Sequence, residues 1–138
     1  MRSFEIVQSE TDTTTSHSGL AIVGRALGQT RLGPDLDAIP QHLGIAHADC
    51  VKSYVGLLCM GKSDFDAIEN RRNDAFFATA LGVARVPSAP SLRQRLDEHA
   101  QAMIPSIDKA SPAFIGSVGA TVTPIVIVQG TCLARAPS

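Results

Sequence analysis

The stretch Asn73-Asp74-Ala75-Phe76-Phe77-Ala78-Thr79-Ala80-Leu81-Gly82-Val83-Ala84-Arg85-Val86-Pro87-Ser88-Ala89-Pro90-Ser91-Leu92-Arg93-Gln94-Arg95-Leu96 decides the fold. Asn73-Asp74 is a helix-start signal, because a short polar side chain accepts from the free amides of a first turn. Phe76, Phe77, Ala80 and Leu81 follow at helical spacing, and Gly82 ends the segment. Val86-Pro87-Ser88-Ala89-Pro90-Ser91 reads as a stiff turn. Ser88 is a candidate N-cap, and Pro90 is tolerated in the first turn, where its missing N–H is an orphan in any case. Leu92, Leu96, Ala100 and Met103 predict the buried stripe of a helix from Ala89 to Met103.

Upstream, Ser63-Asp64-Phe65-Asp66 opens another helix, with Ser63 as acceptor and Asp64 and Asp66 at the positive end of the macrodipole. Phe65 and Ile68 lie along one side. From Ala48 to Met60, Val51, Tyr54, Val55 and Leu58 fall at i, i+3, i+4 and i+7, and Gly61 is a natural stop. Leu36, Ile39 and Leu43 share a face that Pro40 interrupts. Ser18 is a candidate cap for a first helix carrying Leu20, Val23 and Leu27, with Ile22 and Ala26 widening the stripe. Phe65, Ile68, Phe76, Phe77, Leu81, Leu92 and Leu96 are predicted to form one core. After Pro105 the pattern degrades, and the β-branched stretch from Val118 to Leu133 is the strand-prone region. The predicted class is mainly α: a helical bundle with a helix-turn-helix-like pair and a short β-prone C-terminal tail. Residues 1–17 read as a flexible lead-in, 18–104 as the helical domain and 105–138 as linker and β-prone tail.

Composition narrows the function. The 138 residues fit one ordinary domain, and 44% hydrophobic residues can bury a core. Twelve basic and 13 acidic residues give a net charge of -1, which argues against a whole-chain grip on nucleic acid or anionic membrane. The apolar runs are far below bilayer-spanning length, and Met1-Arg2-Ser3-Phe4-Glu5 is not the start of a signal peptide. A cytoplasmic protein is expected. Cys50, Cys59 and Cys132 read as buried thiols of a reducing compartment.

Most chemistry-bearing residues have a plainer reading. Asp64, Asp66 and Glu69 sit on the first turns of one helix, where capping explains them. His17, His42, His47 and His99 are scattered and read as surface histidines. Gly56, Gly61, Lys62 and Ser63 have the spacing of a phosphate loop. That motif needs a preceding strand, whereas Val51 to Leu58 are helical in period. Bulky Leu57, Leu58 and Met60 also stand where a backbone would wrap phosphate. Lys62-Ser63 is therefore expected to start a helix, not to cradle a nucleotide. No catalytic residue and no metal ligand is assigned.

The helical pair carries the remaining candidates. Leu92 and Leu96 turn inward, so Arg93, Gln94 and Arg95 project to the flanks and outward. Arg and Gln are the residue types that read guanine and adenine, and Ser88 and Ser91 sit where hydroxyls and helix amides meet phosphate. Charge shifts in the same direction. Residues 1–50 hold three basic residues against six acidic. Residues 71–109 hold six (Arg71, Arg72, Arg85, Arg93, Arg95, Lys109) against four. The candidate DNA-binding set is Arg85, Ser88, Ser91, Arg93, Gln94 and Arg95. On pattern alone, an ordinary helical hairpin with a solvated face is the better explanation of these residues, because helix pairs with a Gly turn are common and a local net charge of +2 is a weak footprint.

Several blocks together resemble the N-terminal region of bacterial insertion-sequence transposases of the DDE (RNase H-like) class. They are Leu57-Leu58-Cys59-x-Gly61-Lys62-Ser63-Asp64-Phe65, Ile68-Glu69-Asn70-x-Arg72, and Val86-Pro87-Ser88-x-Pro90-Ser91-Leu92-Arg93-Gln94-Arg95-Leu96. Ser18-Gly19-Leu20 and Lys52-Ser53-Tyr54-Val55-Gly56 extend the likeness over residues 16 to 104. The resemblance implies a region that precedes the catalytic domain, binds the inverted-repeat ends as double-stranded DNA and helps assemble the transposase. It also implies a partner in a further copy or in the intact transposase. The family's catalytic domain uses three carboxylates and a divalent metal such as Mg2+. The first carboxylate follows a Thr-Pro stretch that Thr123-Pro124 resembles, yet no acidic residue follows Asp108 here. The expected product is an N-terminal transposase fragment, truncated before the catalytic domain, with no cofactor of its own. Metal-dependent nicking of an end-containing plasmid by the pure chain, lost on chelation, would contradict this. A helical oligomerisation module without DNA contact is the alternative.

Overall fold

The computed structural model describes residues 16–41 and 44–117, and the backbone of 125–128 and 131–134. The helices are α1 (Leu20–Gly28), α2 (Leu32–Asp37), α3 (His47–Cys59), a 3-10 helix (Phe65–Arg71), α4 (Ala75–Leu81) and α5 (Ala89–Ser117). In the tail, β1 (Ile125–Val128) and β2 (Thr131–Ala134) pair antiparallel, with Val128 opposite Thr131. The mainly helical class and the β-prone tail follow the sequence reading. Leu43 and the lead-in before Ser16 lie outside the described residues.

Helix ends follow local chemistry. At the close of α3, Gly61 takes φ +73, Gly61 N–H donates to the Leu58 carbonyl (2.9 Å) and Lys62 N–H to that of Leu57 (2.9 Å). α4 closes in the same way: Gly82 takes φ +61 and Val83 N–H donates to Ala78 (2.9 Å). In both, a residue without Cβ supplies the left-handed step that satisfies the last carbonyls. Asp74 caps α4 by accepting from Phe77 N–H at 3.0 Å, and that bond holds its carboxyl below the ordinary range.

Two predicted caps shift by one residue. Gly19, not Ser18, is the N-cap of α1. Asp64, not Ser63, caps the next element by accepting from Asp66 N–H at 3.1 Å, and that element is a 3-10 helix. Lys62-Ser63 therefore lies between the α3 stop and this cap, and neither residue begins the helix.

The predicted core forms. Ile68, Phe77, Leu81 and Leu92 are fully buried in one cluster, with Phe65, Phe76 and Leu96 packed against it. Leu20, Cys50 and Leu57 join it from α1 and α3. A second cluster gathers Leu27, Leu32, Leu36, Ala48, Val51 and Met103. Val23 and Leu96 touch both clusters and weld them together. The predicted faces of α1 and α3 turn inward at Leu20, Ala26, Leu27 and Val51, and two of their predicted members do not. Ile22 is 72% exposed and Leu58 is exposed, while Cys50, Ser53 and Leu57 form the buried side of α3.

α5 runs through Pro105 and Pro112 to Ser117, past the predicted end at Met103 and past the predicted boundary at 105. Each proline removes one ladder donor. The burial pattern shows what carries the helix on: Ile107, Ala110 and Phe114 pack on the second cluster, while Pro105 and Pro112 face outward.

Candidate nucleic-acid interface

The turn between α4 and α5 is held by carboxylates from distant parts of the chain. Asp49, buried on α3, accepts from Ala84 N–H at 3.3 Å and from Arg85 N–H at 3.0 Å, and so places Arg85. Glu69 accepts from Ala89 N–H at 2.6 Å, which holds its carboxyl below the ordinary range, and it pairs with Arg72 at 3.4 Å. Lys52 donates to the Gly82 carbonyl at 3.2 Å, a cation at the negative end of α4. Asp49 and Glu69 were not distinguishable in the sequence as caps for elements so far along the chain.

These bonds change the role of the α5 N-terminus. Ala89 N–H is given to Glu69, Ser91 N–H to the Ser88 hydroxyl (3.3 Å) and Leu92 N–H to the Ser88 carbonyl (2.8 Å). Pro90 has none to give. Ser88 is thus the predicted cap, and the first-turn amides expected to meet a phosphate are already engaged inside the protein. The Ser88 and Ser91 hydroxyls lie 2.8 Å apart and bond to each other.

The six candidate residues divide between two sides of α5. Arg85, Ser91, Gln94 and Arg95 line one cleft of about 390 Å³, with Gln41, Gly44 and His99 also in its walls. Ser88 lies in an adjoining hollow with Arg85, Ser91 and Arg72. Arg93 turns to the other flank, 3.6 Å from Asp66 and with its guanidinium 5.6 Å from the Phe65 ring centre. Gln94 donates to Glu98 at 2.8 Å. Arg95 is half-buried and donates to Gln41 at 3.4 Å. Gly44, at φ +110, backs directly onto it: a Cβ there would stand 3.0 Å from Arg95 Nη2.

Next to the cleft, His47 is fully buried, against the surface reading of the histidines. Its ring meets that of His99 edge-on, with centroids 4.7 Å apart. Among the described residues, neither His47 nitrogen meets a partner in good hydrogen-bond geometry. Burial lowers its pKa and the charges of Arg95 and His99 act the same way, opposed more weakly by the nearby Pro40 backbone, which is not in good hydrogen-bond geometry, and by the Asp37 charge. The folded state therefore favours the neutral ring, whereas the unfolded ring takes a proton near pH 6.5. Stability from this group is present above about pH 6.5 and falls as pH drops toward the lowered value, by at most about 1.4 kcal/mol per unit. His47→Phe, which removes two unbonded polar atoms, is expected to match or exceed wild-type stability near pH 7.5 and to flatten the loss toward pH 5. Urea unfolding across that range checks it, and an unchanged slope in the variant would count against it.

Cys50 is buried, and burial pushes its thiol up to about 11. Cys59 is exposed, contrary to the expectation for all three thiols, and the Cys132 side chain lies outside the described residues. His42 lies outside them too. The Gly56–Ser63 lookalike occupies the last turn of α3 and its stop, with Leu57 fully buried and Gly56 packed on Phe77 and Leu81. Among the described residues, no three His, Cys, Asp or Glu side chains are grouped to hold a metal ion. No helix among them is long and apolar enough to cross a membrane. No family model, curated protein or solved structure matches the chain.

Proposed function

We propose that the chain is a DNA-binding helical module of the transposase type, engaging the duplex ends of a mobile element through the face that carries Arg85 and Arg95. The observation that carries this reading is the convergence of Arg85, Ser91, Gln94 and Arg95 on one side of α4, the turn and α5. The blocks that resemble transposases also surround this face: Glu69 fixes the start of α5, and Leu92 seats it in the core. Arg93 contributes less in this reading, because Asp66 and Phe65 already engage it.

With few positive charges, binding is expected to be weak and steeply salt-dependent. Arg95→Ala should weaken binding to the element's ends by about 1–3 kcal/mol if it reads a base, and should weaken all duplexes alike if it touches only phosphate. Arg93→Ala should have the smaller effect. Salt-titrated binding to end and scrambled duplexes measures both. Wild type that binds neither duplex at low salt sinks the reading.

In that event, interaction through a helical surface becomes the better account. An apolar groove of about 450 Å³ between α3 and the second half of α5, lined by Tyr54, Val55, Ile107, Phe114 and Ile115, supports it. Association with another copy or with an intact transposase would use such a face.

A further inference from the structure

The cleft beside Arg95 is concave. Its volume of about 390 Å³ falls in the range of small-molecule sites, roughly 300–1,000 Å³. The donors converge from three parts of the chain: Gln41 from the segment after α2, Arg85 from the turn, and Ser91, Gln94 and Arg95 from α5. Two guanidiniums and neutral N–H and O–H groups from different directions suit a tetrahedral oxyanion, whose oxygens point apart. Glu98, the carboxylate in the wall, already accepts from Gln94 at 2.8 Å and lies 4.0 Å from His99. Arg85 makes no ion pair among the described residues, and Asp49 fixes its backbone. Gly44 leaves the room that Arg95 occupies.

We propose that this cleft binds a phosphate group carried by a small ligand, held between Arg85 and Arg95 with Gln41, Gln94 and Ser91 as neutral donors. The site shares residues with the duplex-binding face but stands without it.

The test is calorimetric titration of the full chain at low salt with inorganic phosphate, thymidine 5′-phosphate, thymidine and an end duplex. Phosphate and thymidine 5′-phosphate should bind and thymidine should not. Arg85→Gln and Arg95→Gln should each weaken the phosphate ligands about 10-fold or more, as expected for loss of a charge-assisted contact. Arg85 is exposed, so its variant should keep the fold, which circular dichroism checks. Failure of both phosphate ligands to bind, or unchanged affinity in a folded Arg85→Gln chain, overturns the proposal. Duplex binding without phosphate binding overturns the cleft and leaves the DNA reading standing. Phosphate binding without duplex binding supports the cleft and removes the DNA reading.

Discussion

Leu92→Ala is expected to cost about 2–5 kcal/mol, against a total stability of about 5–15 kcal/mol for a domain of this kind. Leu92 is fully buried on the first turns of α5, in the cluster that also holds Ile68, Phe77 and Leu81. Truncation removes the transfer free energy of three carbons and leaves a cavity in that cluster. The same residue ties the candidate interface to the body, so its loss should also loosen the cleft. Leu96→Ala should cost less, because Leu96 is only half-buried, although it touches both clusters. Ile22→Ala, at a position 72% exposed, should stay within about 0.5 kcal/mol. Urea unfolding of the three variants gives the order directly. A Leu92→Ala cost below about 0.5 kcal/mol would mean that the buried face of α5 is misassigned.

What the sequence made legible was governed by neighbours in the chain. Gly61 and Gly82 stop helices, Asp74 starts one, and Leu92 and Met103 face inward. Each follows from residues within a turn or two. The readings that failed depended on distant partners. Leu58 has the right period for the core, yet Leu57 is taken because Phe77 and Leu81 approach α3 at Gly56, one residue before it. The end of α5 was set too early because two prolines outweigh propensity locally, while Ile107, Ala110 and Phe114 hold the helix against the second cluster.

The candidate site shows the same division. The outward direction of Gln94 was readable from the inward one of Leu92 and Leu96. That Arg93 pairs with Asp66 while Arg95 sits against Gly44 was not readable, because both partners belong to other elements. Glu69 was read as part of a helix-start cluster, and it does cap a helix start, but that of α5. His47 gave no signal at all. A polar residue at the head of an amphipathic helix reads as solvated until the packing of α5 against it is known.

Gly24→Ala is expected to destabilise the chain by about 2 kcal/mol or more, the upper part of the range for overpacking. Gly24 lies in the middle of α1, where glycine is otherwise a poor helix former and alanine would gain up to about 1 kcal/mol. Packing overrides that gain. α1 crosses α4 so closely that a Cβ at residue 24 would overlap the Ala80 carbonyl oxygen. A flexible side chain in the way could rotate aside, but the Ala80 carbonyl belongs to the α4 backbone and moves only with that helix. The two helices would have to separate, exposing Leu20 and Leu27 on α1 and Leu81 on α4, which are buried in the two clusters. Gly28→Ala supplies the internal control. It makes the same chemical change in the same helix, but nothing lies within 4 Å of the added carbon. It should be neutral or stabilising by up to about 1 kcal/mol. Thermal unfolding of both variants should therefore move the midpoint in opposite directions, or leave Gly28→Ala unmoved while Gly24→Ala falls. A Gly24→Ala chain at least as stable as wild type would show that α1 and α4 do not approach this closely.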